Sequence, residues 1–461
     1  MNVTLHQQDL FEGIDTVLDV VPSKTALPVL SNLLLRAYVS GDEEGSGEAD
    51  GPVCQGTDRQ ASSPEAPVRR EGVLELSATD LDISILTRIP ATLIEGGSST
   101  VPARKFAEIV RELPSIPLLL QERDGRISLS LQPGEEGLSG EEAPPELEPQ
   151  RGTYSLLGIP PDDFPTLPSD IQGVTLVFDK PGELDGALLR DMIAKTAFAV
   201  SRDETRPVLN GVFWQVDPEG MGMVATDGHR LAKFTKRISL QDEIEGDLPV
   251  ASETQIGLQP GSDASSDSES HPARREGATT EAIVPPRALN HLVKLIGGRK
   301  NLQRITIGEN HVLFDLGDTL LFSRLIEGPY VDFDQVIPRN NEKRLKVENS
   351  ILFPAVRRVS ILSSAHTRQI RLSLRSNLVE LSAASQEIGG EAQESISAEY
   401  SDEDLETGYN ASYLLEILRK INSDEVLFEL NTSVSAGIIR PAEQPDGEDY
   451  LCLIMPLRLS G

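Results

Sequence analysis

Within Ala225-Thr226-Asp227-Gly228-His229-Arg230-Leu231 a carboxylate, an imidazole and a guanidinium stand almost side by side. Asp227 orienting His229 as a general base is the chemistry those types could do. Read as strand, the two sit at i and i+2 and share a face, which does not build a triad. No Gly-x-Ser-x-Gly or other nucleophile signature accompanies them. Gly220-Met-Gly-Met-Val-Ala225 matches the loose dinucleotide pattern, but it lies between two strand-like runs with no helix after it. There is no P-loop, and Cys54 and Cys452 are too few for a disulfide framework or a zinc cluster. No catalytic, cofactor-binding or metal-binding residue is expected. Two readings stay open for the heptapeptide: a well-capped turn, or a polar tip made for binding.

Positioning such a tip takes a hairpin. Gly211-Val-Phe-Trp-Gln-Val216 and Asp217-Pro-Glu-Gly220 read as a strand and a turn ahead of Met221–Leu231. Gly228 suits a backbone conformation that a Cβ resists. Ala-Thr-Asp also occurs at Ala78-Thr79-Asp80, and the surroundings recur with it. Apolar residues at helical spacing mark a first helix at Leu10 to Val21, at Leu184 to Val200 and at Ser350 to Leu362. A hairpin follows each, and then a second helix: Val101-Pro-Ala-Arg-Lys-Phe106, Val284-Pro-Pro-Arg-Ala288 and Tyr409-Asn-Ala-Ser-Tyr413 mark the starts. Closing segments recur at Asp163 to Pro168, Asp332 to Pro338 and Leu451 to Pro456. The expected architecture is α+β in three similar domains, residues 1–170, 171–342 and 343–461, each two helices with many antiparallel strands.

Three stretches, Gly41 to Gly72, Gln132 to Gln150 and Gln259 to Thr280, are rich in Gly, Glu, Ser, Pro and Asp and read as acidic surface loops within the domains. Overall the 461 residues carry 73 acidic and 42 basic side chains, a formal net charge of -31. Taken in bulk, that argues against nucleic acid. Yet Arg104, Lys105, Arg111, Arg190, Lys195, Arg287, Lys294, Arg419 and Lys420 lie on the expected helices, while the acid lies mainly in the loops. Helices sharing one surface would suit sequence-independent contact with duplex phosphates. Aromatic interleaving is sparse, so base stacking is not indicated. Neither a basic-then-apolar leader nor a run of ~18 apolar residues is present, and a cytoplasmic protein is expected.

Val101-Pro-Ala-Arg-Lys-Phe106, Leu209-Asn-Gly211, Ala225 to Leu231 and Met455-Pro-Leu-Arg-Leu459 together resemble the β sliding clamps of bacterial DNA polymerase III. The resemblance spans nearly the whole chain apart from the acidic loops. It implies a head-to-tail homodimer closed into a ring, helices inside and sheets outside, encircling duplex DNA and tethering a polymerase without chemistry. It implies a clamp loader, the polymerase III alpha subunit and other polymerases and repair proteins as partners, no membrane and no cofactor. Carried over by position, a pocket for short apolar peptides would comprise Leu209, Thr226, Gly228, His229, Arg230, Leu231, Val331, Val336, Leu453, Ile454, Met455, Pro456, Leu457 and Arg458, with His229 and Arg230 orienting the peptide. Val331 stands where the family often has proline, and Gln335 where it often has arginine. DNA contacts are implied at Lys24, Arg202, Arg206 and Arg368, but not along the first helix, which lacks Lys and Arg. A dimer interface is implied at Lys105, Ile361 and Leu362, Lys105 facing acidic residues near Glu394. The rival expectation, drawn from the charge, is an acidic interaction scaffold that never encircles DNA.

Overall fold

The computed structural model describes residues 1–39, 69–131, 152–168, 171–245, 279–298, 300–387 and 389–459. The second acidic stretch lies wholly outside these residues, and the first and third lie outside them except at their C-terminal ends. There the expected loops overshoot: Arg70–Thr79 is already a strand pairing Arg70 with Leu93, and Thr280 pairs with Val216. Charged residues at a strand end are cheap to expose, so composition alone misplaces the boundary.

Six α-helices occur among the described residues, two per repeat: α1 Gln7–Leu18, α2 Ala103–Glu112, α3 Gly186–Thr196, α4 Pro286–Gly297, α5 Asn349–Val359 and α6 Ala411–Lys420. They pack in the pairs α1 with α2, α3 with α4 and α5 with α6. Each buries the stripe that its spacing announced, as with Leu10, Ile14 and Val17 of α1 or Leu414, Ile417 and Leu418 of α6. α1 starts three residues earlier than its periodicity indicates. Gln7 is polar yet buried, its Nε2 donating to the Val110 carbonyl at 2.8 Å. Periodicity marks the apolar stripe and cannot see a polar residue satisfied across the fold.

The chain forms two compact units, Met1–Asp170 with Leu313–Ser323, and Ile171–Val312 with Arg324–Gly461. In the first, Asn32–Val39 pairs with Arg70–Thr79 and Gly97–Pro102. Ile83–Glu95 pairs with Arg70–Thr79, with Asn2–His6 and with the strand beginning at Thr319. The chain then runs by antiparallel neighbours through Pro117–Arg123 and Arg126–Leu131 to Thr153–Leu157.

In the second unit, one antiparallel sheet has eight strands in the order Thr280–Val284, Val212–Asp217, Gly220–Thr226, Arg230–Arg237, Glu448–Ile454, Gly437–Pro441, Glu425–Leu430, Lys343–Glu348. Its middle seam joins the second-repeat strand Arg230–Arg237 to the C-terminal strand Glu448–Ile454, with Arg230 opposite Ile454 and Leu231 opposite Leu453. Strand periodicity sends Leu231, Leu451 and Leu453 to one face and Tyr450, Cys452 and Ile454 to the other. On that second face Tyr450 packs on Phe234, and Lys195 of α3 lies over both rings. A four-stranded sheet, Gly390–Ser397, Leu378–Ser385, Gln369–Arg375 and Leu405–Asn410, completes the third repeat.

Asp185 caps α3, its Oδ1 accepting from the Ala187 and Leu188 amides at 2.9 and 3.0 Å and its Oδ2 from Gly182 at 2.8 Å. Burial alone would raise its pKa, but these three amides prevail and hold the carboxyl below its ordinary 3.8. A lowered folded-state pKa stabilises above the ordinary value, and that contribution fades as pH falls through the folded value. Asp185→Ala should therefore cost about 1 kcal/mol at pH 7. In denaturant titrations repeated at falling pH, the gap between the two proteins should narrow below roughly pH 4.

Candidate functional site

Thr226 ends one strand and Arg230 opens the next, so Asp227, Gly228 and His229 form a turn. The expectation that Asp227 and His229 share a strand face is corrected: side chain to backbone bonds hold this stretch out of the ladder. Thr226 Oγ1 donates to the Arg230 carbonyl at 2.7 Å and accepts from the Gly228 amide at 3.1 Å. Asp227 Oδ1 accepts from the amides of His229 and Arg230 at 2.9 and 3.0 Å. Gly228 takes φ +87°, the left-handed region that glycine enters most cheaply. The first unit repeats the arrangement. Thr79 Oγ1 bonds the Ile83 carbonyl and the Leu81 amide, and Asp80 Oδ1 accepts from the amides of Asp82 and Ile83. Leu81 stands in the glycine's place at φ +82°.

Arg230 was expected to orient a ligand, and its side chain is otherwise engaged. It is only 7% exposed. Its Nε donates to Asp227 Oδ2 at 3.2 Å, Nη1 to Glu416 of α6, and Nη2 to the Phe198 carbonyl at 2.8 Å. The guanidinium lies 4.4 Å from the Tyr413 ring centroid and 5.3 Å from that of Phe198. A buried cation held by two carboxylates, a carbonyl and two rings is an internal anchor. His229, by contrast, is exposed and stacks on Tyr413, centroids 6.5 Å apart and planes 20° apart. Burial, then the charges of Asp227 and Glu416, push the Tyr413 phenol up, against the pull of Arg230.

Beside this turn one face of the eight-stranded sheet is apolar. Phe213, Val224, Leu231, Ile283, Ile438, Leu451 and Leu453 form a buried cluster. Tyr330, Phe333 and Ile337 pack onto it from the closing segment of the second repeat. Tyr330 stacks on Phe213 at 4.9 Å and Phe333 tilts against it at 5.8 Å. Burial raises the Tyr330 phenol pKa far above its ordinary value. Lys233 fastens the segment, bonding Asp334 at 2.9 Å and lying over Phe333. Beyond Ile454 the chain leaves the sheet: the Met455 amide donates to the His229 carbonyl and the Leu457 amide to Gly408, both at 2.8 Å.

Of the expected pocket residues, Leu231 and Leu453 lie in the cluster, exposed His229 and Met455 are joined through their backbones just beyond it, and Gly228 is exposed in the turn. Val331 and Val336 are exposed on the segment that covers it. Pro456 and Leu457 are half-buried, Arg458 is exposed, and Leu209 is buried. Ile454 is buried on the opposite face from Leu453, so it points away from the apolar cluster. Sequence reading missed Phe198, Phe213, Tyr330, Phe333, Tyr413 and Glu416. Tyr413 and Glu416 did carry a signal, an i, i+3 pair on one helix face.

The cations expected at DNA lie in corresponding places, each shortly after the first helix of a repeat. Lys24, Arg202 and Arg206 are exposed, Lys24 after α1 and the other two after α3. Arg206 pairs with Asp203 at 3.3 Å, and the Thr205 hydroxyl chiefly holds the Asp203 carboxyl low. Arg368, after α5, takes φ +48° and donates to Ser412 Oγ at 2.9 Å. Ile361 is 74% exposed. Lys105 pairs with Glu108 at 2.6 Å, and Glu394 is taken by Arg358. No cluster of metal-ligating side chains and no helix long and apolar enough to cross a membrane occurs among the described residues.

The family comparisons follow the repeats. Models for the N-terminal, central and C-terminal domains of the DNA polymerase III beta subunit match residues 68–168, 183–251 and 334–458 in that order. The chain belongs to this family. The beta sliding clamp of a Synechocystis species is 29% identical over 463 residues, and that of Pseudomonas aeruginosa 28% over 464, each aligned across 100% of both chains. A crystal structure of the P. aeruginosa subunit superposes with TM-score 0.74 at 26% identity, covering 100% of both chains. Another, of that clamp bound to griselimycin, gives 0.73 at 26% over the same coverage. The α+β clamp fold and the reading as a DNA sliding clamp both stand. Such a subunit is a processivity factor and not an enzyme, and the scaffold that never encircles DNA gives way to it.

The turn yields a stability prediction. Gly228→Ala places a Cβ in the left-handed region and should cost about 1 kcal/mol, read as a lowered denaturant midpoint.

Proposed function

We propose that this chain closes with a second copy into a ring around duplex DNA and holds polymerases there by short apolar peptides. Its domains would be residues 1–170, 171–342 and 343–461, and the ring would be cytoplasmic. The peptides would come from the replicative polymerase's alpha subunit, the clamp loader, and other polymerases and repair proteins. The observation that carries the reading is the apolar sheet face around Leu231 and Leu453, edged by His229, Tyr413 and Met455. Apolar walls, an adaptable methionine and a few polar groups suit a peptide anchor. Burying a leucine and a phenylalanine would contribute roughly 3–6 kcal/mol before ordering costs, enough for micromolar binding. Griselimycin on the P. aeruginosa clamp supports a ligand site in the family at large.

Lys24, Arg202, Arg206 and Arg368 would meet the duplex through phosphates, so direct affinity would be weak and steeply salt-dependent. Lys105, Ile361 and Leu362 would lie at the dimer contact. Among the strands paired on one side only in the described residues are Thr153–Leu157 in the first unit and Gly390–Ser397 in the second. An unpaired edge invites continuation by another chain, which suits a head-to-tail closure.

Deleting Met455 through Gly461 tests the pocket. A fluorescein-labelled synthetic peptide ending in leucine and phenylalanine should lose its binding while the protein remains a dimer. A folded, dimeric truncation that binds as well as the full chain refutes the site. For the interface, Ile361→Asp with Leu362→Asp should yield monomers in sedimentation velocity, because the contact would bury two unpaired charges. A double variant that stays dimeric places the interface elsewhere.

A further inference from the structure

Arg230 reaches three parts of the second unit at once, and only one of its polar bonds goes to α6. Asp227 belongs to its own turn, and the Phe198 carbonyl follows α3. The bond to Glu416 therefore ties the hairpin to the third-repeat helix. Tyr413 sits three residues before Glu416, one turn along the same face. Drawing Glu416 onto the guanidinium brings the Tyr413 ring over it and into the stack with His229.

We propose that Glu416 is a positioning residue of the peptide site: through buried Arg230 it holds the His229–Tyr413 ring pair in its binding arrangement. The inference rests on the peptide-site reading and adds a residue that need not touch the peptide. Glu416 is nearly half exposed, so losing its charge leaves no buried carboxylate unpaired. Arg230 would keep Asp227 as counter-ion within its own turn. Glu416→Gln should thus release the helix from the turn without unfolding either.

The test uses the full-length dimer and the same labelled leucine–phenylalanine peptide. Glu416→Gln should weaken binding roughly five- to tenfold, the scale of one lost charge-assisted contact. Sedimentation should remain that of the parent. The His229 imidazole C–H resonances, assigned by their loss in His229→Gln, should shift as Tyr413 moves off the ring. Glu416→Asp, which keeps the charge, should recover part of both effects. An affinity within twofold of the parent overturns the proposal. So does weakened binding with the His229 resonances unmoved. The chain lacking residues 455–461 separates the two levels of the argument. If that chain still binds the peptide, the site itself falls. If it does not, and Glu416→Gln binds normally, only the role of Glu416 falls.

Discussion

The antiparallel pairing of Arg230–Arg237 with Glu448–Ile454 is the constraint on which the rest of the second unit depends. These strands are more than two hundred residues apart in the chain, so closing them costs entropy that local contacts cannot offset. What offsets it is burial on both faces. One face carries Tyr450, Cys452 and Ile454 over Phe234, the other Leu451 and Leu453 beside Leu231. A slip of one residue would exchange the two sets, which fixes the register. That register puts the His229 carbonyl where the Met455 amide can reach it, and so sets where the C-terminal residues leave the sheet.

Charge at the same seam is arranged to be satisfied inside the chain. Arg230 is buried with two carboxylates and a carbonyl, and Lys195 and Lys236 share Glu448 nearby. Breaking a buried pair costs more than making it gains, so such groups enforce one arrangement. The exposed parts of the proposed site are then mostly apolar or aromatic: Met455, Val331 and Val336, with the His229 ring among them. A surface of this kind recognises a partner by shape and anchors, which suits many short peptides sharing a leucine and a phenylalanine. The face around Leu231 and Leu453 stays apolar because the ionic groups are spent behind it.

The helices, the hairpins and the threefold repeat were legible because each rests on local periodicity. The heptapeptide at Ala225 to Leu231 and the C-terminal Met455 to Leu459, singled out in the sequence, lie side by side in the fold. Other features were not legible for physical reasons. Arg230 reads in sequence as a polar tip residue, and only the approach of α6 and Phe198 makes it an internal anchor. Asp227 and His229 read as strand, yet the Thr226 and Asp227 side chains compete for the backbone and make a turn. Tyr330 and Phe333 gave no signal of their own, since their packing on Phe213 depends on tertiary contact. Ile454 looked like a wall residue until its pairing placed it on the far face.

The central claim is that this one strand pairing builds the peptide site from two distant parts of the chain. Hydrogen–deuterium exchange of the dimer, with and without a saturating leucine–phenylalanine peptide, tests it most directly. Protection should rise together in residues 226–231 and 453–457, with a smaller rise over 330–337, and stay unchanged in the first unit. Protection confined to one of the first two stretches, or centred anywhere else in the chain, would contradict the account.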